Sequence, residues 1–172
     1  MAENLIGNAM KLKILVGGII IGVLSGCTGA TYGVPKIDPN DKMFQCDKAS
    51  SSTDIDKPTS KRFAGILAFQ AFMAKNQREI YQLKTKTMGL YGFDDNVYKK
   101  ISNCYYENIN TLKDDTAKAF DFMKGQTKSK DQRDALVEAY SAWEVYMDQP
   151  PSKNNYILES DMNKAIAKYK NM

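Results

Sequence analysis

Apolar side chains recur every three or four residues through most of the chain between Thr59 and Lys170. This spacing places them along one side of an α-helix, and no stretch of useful length alternates apolar and polar residues as a half-buried strand does. Turns rich in glycine, proline or polar residues divide the region into four segments. Four amphipathic helices joined by short turns predict an all-α fold, either an antiparallel four-helix bundle or layered helical hairpins.

The first predicted helix runs over about 60–88, with Thr59 or Ser60 as its N-cap and Gly89 and Gly92 as its stop signals. Its apolar side is wide near the start, so we expect burial on both flanks there. The residues expected to face inward are Phe63, Ile66, Leu67, Phe69, Phe72, Met73, Ile80 and Leu83.

The second predicted helix begins at a cap formed by Asp94 or Asp95 and ends before Gly125. Cys104 lies on its inward stripe, about three turns from the start, which favours a covalent link to a segment packed on the core. The other members of the stripe are Val97, Ile101, Tyr105, Asn108, Leu112, Ala119 and Met123.

The third helix is expected over about 131–147, ended by Pro150-Pro151, and the fourth over about 155–170. The first two helices are about 40 Å long at 1.5 Å per residue, and the last two are shorter. We therefore expect the short pair to cover one end of the long hairpin and to leave the other end, or a groove, less covered.

The N-terminal segment has the layout of a bacterial export signal. Lys11 and Lys13 are followed by an apolar run, 14–23, which is about half the length needed to cross a bilayer. The run ends at Leu24-Ser25-Gly26-Cys27. This exit resembles the lipobox of bacterial lipoprotein precursors.

The lipobox resemblance implies that the chain is cleaved before Cys27, that Cys27 is acylated, and that the acyl chains hold the protein on a membrane. In enterobacterial lipoproteins an aspartate directly after the acylated cysteine retains the protein in the inner membrane. Thr28 occupies that position here, so the resemblance favours the outer membrane, with the domain facing the periplasm. A plain secretory signal with a cysteine nearby is the alternative. Either Met1 or Met10 is the true start.

Three regions are therefore expected, a lipoprotein signal peptide over 1–26, a lipidated flexible tether over 27–58 and a helical domain over 59–172. The tether is rich in glycine, proline, serine and aspartate and has no sustained period. Only Met43, Phe44 and Cys46 within it are suited to dock on the domain.

With Cys27 assigned to lipid, Cys46 and Cys104 are the two cysteines that remain. An even pair in an oxidising compartment predicts a disulfide, and two unpaired thiols are the alternative. Closing a loop of this size stabilises a fold by about 4 kcal/mol in the chain-entropy description.

The absence of histidine from the sequence restricts the chemistry of the chain. It removes Ser-His-Asp and Cys-His catalysis, haem ligation by histidine and the usual zinc sites. The pairs Asp94-Asp95 and Asp114-Asp115 are adjacent on helices and do not face each other, which predicts a cap and a solvated face. A carboxylate metal site would need acids from different helices to meet, for which the candidates are Glu107, Glu138 and Glu144.

We accordingly expect no catalysis, no metal and no cofactor. The formal net charge of +4 is mild, and no concentrated basic patch predicts a nucleic-acid partner. Tyrosine and tryptophan pack in cores and also anchor interfaces. The residues predicted to bind a partner are Tyr98, Tyr106, Tyr140, Trp143 and Tyr146, with ordinary core packing as the alternative.

These observations predict a lipid-anchored, non-catalytic binding or assembly factor for another envelope protein, which could take a partner segment as an extra helix. Such a protein is similar, in shape only, to the pilotins and to accessory lipoproteins of secretion or conjugation systems. A small-molecule or lipid-binding helical bundle is the alternative and requires an enclosed cavity. An enzyme is a third possibility, which would need a histidine-free carboxylate site.

Overall fold

The structure, a computed structural model, describes residues 37–49 and 57–172. No strand occurs within these two ranges, and the predicted all-α class is confirmed. A short 3-10 helix precedes four α-helices. Their bounds are Lys42–Phe44 for the 3-10 helix, and Ser60–Tyr91 (α1), Asp95–Gln126 (α2), Lys130–Met147 (α3) and Tyr156–Lys170 (α4).

The predicted export signal and the acylation site Cys27 lie outside the described residues, as do residues 28–36 and 50–56 of the predicted tether. Among the helices that are described, none is long and apolar enough to cross a bilayer.

Side-chain caps determine where the two long helices begin. The Thr59 hydroxyl accepts a hydrogen bond from the Arg62 amide at 3.3 Å, as predicted for the start of α1. The Asp94 carboxylate accepts from the amides of Asn96 and Val97 at 2.9 and 3.0 Å, so Asp94 rather than Asp95 is the cap of α2.

Two of the predicted stop signals do not end a helix. Gly89 lies inside α1 and Gly125 lies inside α2, because a single glycine lowers helix stability by only about 1 kcal/mol and packing overrides that cost. The glycine that ends α1 is Gly92, whose φ of 101° is a conformation that glycine adopts without strain.

The four helices form two antiparallel hairpins, α1 with α2 and α3 with α4, and α1 packs on both helices of the second hairpin. Aromatic rings join the layers, since Phe63 of α1 lies 6.5 Å from Phe120 of α2 and 6.2 Å from Tyr169 of α4. The largest side chains with almost no exposure mark the centre of this core, and they include Phe63, Leu67, Leu112, Leu136, Trp143, Met147 and Tyr169.

The second hairpin is shorter than the first and lies against one part of it. Its contacts run from Ser60, which accepts from Gln132, to Gln82, which donates to the Pro151 carbonyl at 3.0 Å. On α2 they reach Tyr105, whose hydroxyl donates to the Gln149 carbonyl. Residues 84–100, which we call the hairpin tip, lie after these contacts along α1 and before them along α2.

The segment 37–49 packs against the first hairpin. Phe44 is buried in the common core, and Cys46 is bonded to Cys104 of α2 with a Cα–Cα distance of 5.5 Å, which confirms the predicted disulfide. Asn108, one turn after Cys104, accepts from the Ala49 amide and donates to the Asp47 carbonyl. Residues 37–49 therefore belong to the folded domain, and this part of the predicted flexible tether is corrected.

Candidate functional site

Three of the five aromatic residues predicted to bind a partner lie in the core. Trp143 is 0% exposed, and Tyr140 and Tyr146 are also buried. The Tyr140 ring stacks on Phe120 at 3.9 Å and lies 5.5 Å from the Trp143 ring. Because their surfaces are covered by other helices, we remove these three residues from the partner surface and correct the expectation.

The other two predicted partner residues, Tyr98 and Tyr106, are exposed on α2. The Tyr81 hydroxyl donates to the Tyr98 hydroxyl at 3.1 Å, which holds the Tyr98 side chain beside the end of α1. Tyr106 packs edge-on against Tyr105 at 5.2 Å. Each of the two side chains is therefore held in place by one contact within the domain while part of its ring remains exposed to solvent.

Among the described residues one cation is buried, Arg78 of α1, which is 1% exposed. Its Nη1 donates to the carbonyl of Tyr146 at 3.3 Å, and its guanidinium lies 4.4 Å from the centre of the Tyr146 ring. That carbonyl lies in the last turn of α3, where the helix dipole favours a positive charge. The contacts give Arg78 a structural role, joining α1 to the end of α3.

Burial also changes how the interior tyrosines titrate. It raises the pKa of Tyr140 from its ordinary 10.0 to about 12, and the negative charge of Glu144 and its hydrogen bond add to the effect. Burial likewise raises the pKa of Tyr105, although the nearby Arg78 opposes it. These groups therefore stay protonated and neutral throughout the physiological range.

The acidic residues do not form a metal-binding cluster in the part of the chain that the structure describes. Asp94 is occupied as a helix cap, and Asp115 pairs with Lys118 at 3.5 Å. No group of three or more acids or cysteines among these residues could hold a metal ion. Glu107, Glu138 and Glu144 therefore do not meet as a ligand set.

The cavity beneath Phe44, lined also by Gln77, Tyr81, Ile101 and Tyr105, has a volume of about 10 Å³, which is room for one water. Pockets that bind small molecules usually measure about 300–1,000 Å³. Volumes within that range occur in open surface grooves, one of about 300 Å³ between α1 and α4 and a more open one of about 600 Å³ beside it at Lys75 and Glu159.

A surface that the sequence analysis assigned to the core is exposed instead. Phe69, Phe72 and Leu83 of α1 were expected to face the core. Instead, Phe72 is 57% and Leu83 is 60% exposed. Their spacing places them on one side of α1, where Phe72 borders α4 across an open groove and the three side chains remain largely uncovered. We call these three residues the outer stripe of α1.

The outer stripe follows from the way the two hairpins pack. A helix with apolar residues on two sides needs cover on both, and the helices packed on α1 leave the outer stripe exposed. The sequence shows that both apolar rows exist, but the helical period is the same for each row. Which of the two rows is buried depends on where the other helices pack, and this cannot be predicted from the spacing of apolar residues alone.

The groove between α1 and α4 lies beside the outer stripe. Ala68 and Phe72 form one wall, and Met162 and Asn163 form the other. Lys75 of α1 pairs with Glu159 of α4 at 3.0 Å within it, and the hydrogen bond that the Lys75 ammonium donates to the Glu159 carboxylate raises the pKa of Lys75. The groove thus offers apolar walls and a central ion pair to an approaching chain.

Comparison of the chain with protein-family models, with curated proteins and with solved structures gives no match.

Proposed function

We propose that the protein is a lipid-anchored, non-catalytic binding or assembly factor of the bacterial cell envelope, which holds another envelope protein near the outer membrane. The observation that carries this proposal is the exposed outer stripe, Phe69, Phe72 and Leu83, beside the open groove between α1 and α4. Such a factor would be of the secretion or conjugation accessory type.

The outer stripe has the dimensions of a site for a partner helix. From Phe69 to Leu83 the helix rises about 21 Å, or four turns, which suits an amphipathic segment laid along α1. Fully burying a large apolar side chain contributes about 1.5–3 kcal/mol, so three of them supply a substantial part of a specific interface. The Lys75–Glu159 pair offers polar contacts at its edge.

Membrane attachment is the second part of the proposal and rests on the lipobox resemblance at Leu24–Cys27. The docked segment 37–49 is consistent with it, because the chain leading back to Cys27 leaves a folded domain that the disulfide secures. Acylation at Cys27 would then bring the outer stripe close to the membrane without a spanning helix.

A small-molecule or lipid-binding bundle is the alternative function. The cavity beneath Phe44 is too small for it, so a ligand would have to occupy an open groove. The groove of about 320 Å³ between the segment 37–43 and Thr87 and Tyr91 is one of those with enough volume for such a ligand.

Site-directed photo-crosslinking in the native envelope tests the proposal. A photoreactive residue is placed at Phe72 and, as a matched control, at Val137, which is exposed on α3 outside the outer stripe. We expect one stoichiometric envelope protein to be captured from position 72 and not from 137. With Cys27→Ser, this product should be lost or found away from the membrane.

Equal capture from both positions would contradict the assignment of the outer stripe. A purified protein that carries no protein partner but a bound small molecule or lipid would favour the alternative function. Unchanged membrane attachment of the Cys27→Ser protein would contradict the lipid anchor but not the assignment of the outer stripe.

A further inference from the structure

The hairpin tip carries a second exposed apolar surface, separate from the outer stripe. Leu90 is 74% and Phe93 is 66% exposed, and the Phe93 ring lies 5.6 Å from that of Tyr98. Tyr91, beside Gly92 in the turn, and Met43 of the docked segment are exposed as well. We call these five side chains the tip surface. Large apolar side chains grouped at the end of a domain mark a contact with a protein or a membrane.

The chain enters the folded domain at this same end. Ile37 and Met43 line a groove together with Thr87 and Tyr91 of α1. Nine residues separate Ile37 from Cys27. Even fully extended, the chain between these two residues spans at most about 35 Å. A lipid anchor at Cys27 is therefore confined to the neighbourhood of the hairpin tip.

The opposite end of the domain lies farther away than the anchor reaches. From Thr87 to Ser60, α1 rises about 40 Å at 1.5 Å per residue. The domain consequently cannot stand on the membrane with its Ser60 end down and its tip pointing away. Either the tip faces the membrane or the long hairpin lies flat along it.

The side chains at the tip suit the interface of a bilayer. Tyrosine and phenylalanine are favoured at the level of the headgroups, where apolar rings meet water. Lysines at the tip can extend their ammonium groups towards water. Four lysines and four aspartates balance each other there, leaving aside Lys84, which pairs with Asp47. They are Lys42, Lys86, Lys99, Lys100, Asp38, Asp41, Asp94 and Asp95.

We propose that the tip surface contacts the membrane that holds the Cys27 anchor, inserting Leu90 and Phe93 at the headgroup boundary. The inference rests on the proposed anchor and goes beyond it by fixing the orientation of the domain. With the tip on the membrane, α1 points away from it and its outer stripe remains open to a partner. Because the tip charges balance, contact depends on apolar burial and varies little with salt or anionic lipid.

Tryptophan fluorescence of the protein purified from its envelope tests this orientation. Trp143 is the only native tryptophan and is fully buried, so it contributes a constant background. The variants Phe93→Trp and Phe69→Trp make the same substitution at the tip and about 30 Å away along α1. Each is placed in phosphatidylcholine vesicles whose acyl chains carry bromine, a contact quencher. Far-UV circular dichroism checks that both variants remain folded.

We expect the Phe93→Trp emission to shift to the blue and to lose most of its added intensity, while Phe69→Trp loses little. Adding salt or phosphatidylglycerol should change neither result. Equal quenching at both positions would show a flat orientation and overturn the proposal, as would no quenching at position 93. Capture of a protein instead of lipid by a photoreactive residue at 93 in the envelope would also overturn it.

The mass of the purified protein separates this proposal from that of the anchor. If Cys27 carries no acyl chains, the proposed anchor fails. The Cys27 thiol, the one cysteine outside the disulfide, is then coupled to a maleimide phospholipid in the same vesicles. Preferential quenching of Phe93→Trp in that arrangement still supports the tip contact, and its absence overturns it.

Discussion

Asn108 links three parts of the fold through one side-chain amide. Its Nδ2 donates to the Asp47 carbonyl and to Gln77 Oε1, both at 2.8 Å, and its Oδ1 accepts from the Ala49 amide at 2.9 Å. The residue is buried. Each partner would otherwise lose its hydrogen bond to water without replacement. Asn108 therefore holds the docked segment on α1 and α2 beside the disulfide.

Replacing Asn108 tests that role. We expect Asn108→Ala to lower the free energy of unfolding by about 1–3 kcal/mol, because buried Gln77 and two part-buried backbone groups of the docked segment lose their partner. Urea denaturation followed by circular dichroism measures the change. Asn103→Ala, at an exposed position on the same helix, should change stability by less than about 0.5 kcal/mol. Similar losses in the two variants would contradict the role given to Asn108.

The buried tyrosines make stability fall at alkaline pH. An unfolded tyrosine releases its proton near pH 10, whereas folded Tyr140 keeps it until a pKa of about 12. Between these values the unfolded state binds fewer protons, so raising the pH favours unfolding. Below pH 10 the contribution of Tyr140 to stability is fully present, and it is lost as the pH rises through about 12.

Tyr140→Phe should make the alkaline decline shallower, since a phenyl ring does not ionise. The measurement is the urea midpoint at pH values from neutral to strongly alkaline, with tyrosinate absorbance recorded in parallel. Tyr156→Phe, an exposed tyrosine on α4, is the control and should leave the decline unchanged. A decline of the same steepness in the Tyr140 and Tyr156 variants would refute this assignment.

At the scale of elements, the segment 37–49 is held by one covalent bond and several weak ones. The Cys46–Cys104 bond closes a separation of 58 residues. Removing it restores conformational freedom to the unfolded chain, and the double substitution Cys46→Ser with Cys104→Ser should therefore lower stability by about 4 kcal/mol. The difference is measured by thermal unfolding of the double serine variant and of the unsubstituted protein.

Hydrogen exchange shows whether the loss is local. In the double serine variant we expect the amides around Lys42–Phe44 to lose protection first, while the centre of α2 remains protected under native conditions. Phe44 and Asn108 still hold the segment in this variant, so opening should be partial. If the whole domain unfolded with the segment in one step, segment and helices would be a single cooperative unit.

Local chemistry made the helices themselves predictable. Thr59 and Asp94 cap in the way their side chains favour, and the prolines at 150 and 151 follow the end of α3. The disulfide was predictable because Cys46 and Cys104 are the pair left once the proposed acylation site, Cys27, is set aside. The caps and helix ends depend on a few neighbouring residues, and the disulfide depends on the number of cysteines in the chain.

The candidate site was harder to predict from the sequence than the helices were. Of the tyrosines predicted to bind a partner, Tyr98 is exposed, whereas Tyr146, like Trp143, is buried by packing between the hairpins. The outer stripe escaped prediction because Phe69 and Phe72 have the spacing and composition of core residues. An exposed apolar row and a buried one look alike until the neighbouring helices are placed.

At the scale of the whole molecule, the fold separates stability from the proposed binding surface. The core residues of α1, such as Phe63, are enclosed, while the outer stripe contributes little to packing. Substitutions on the stripe should therefore impair partner capture without unfolding the domain. This separation allows function to be tested by variants that remain folded.

Phe72→Glu and Leu83→Glu should each change the free energy of unfolding by less than about 1 kcal/mol, whereas Phe63→Ala should cost about 3–5 kcal/mol. In the envelope, both glutamate variants should lose most of the partner captured by crosslinking. Val137→Glu, on the surface of α3, should retain it. A stripe variant that destabilised the fold as much as Phe63→Ala would place the stripe in the core after all.

The position of the disulfide also determines how the domain responds to a mechanical load. Tension applied from the N-terminal side can peel off residues 37–45, but it then reaches the covalent bond to Cys104, ten residues into α2. From there the force shears α2 against its neighbours along its length, instead of unravelling a helix from one end. Tension at Met172 meets no such bond and strips α4 turn by turn. The domain is therefore expected to resist tension better from its N-terminal side, which leads to the proposed anchor, than from Met172.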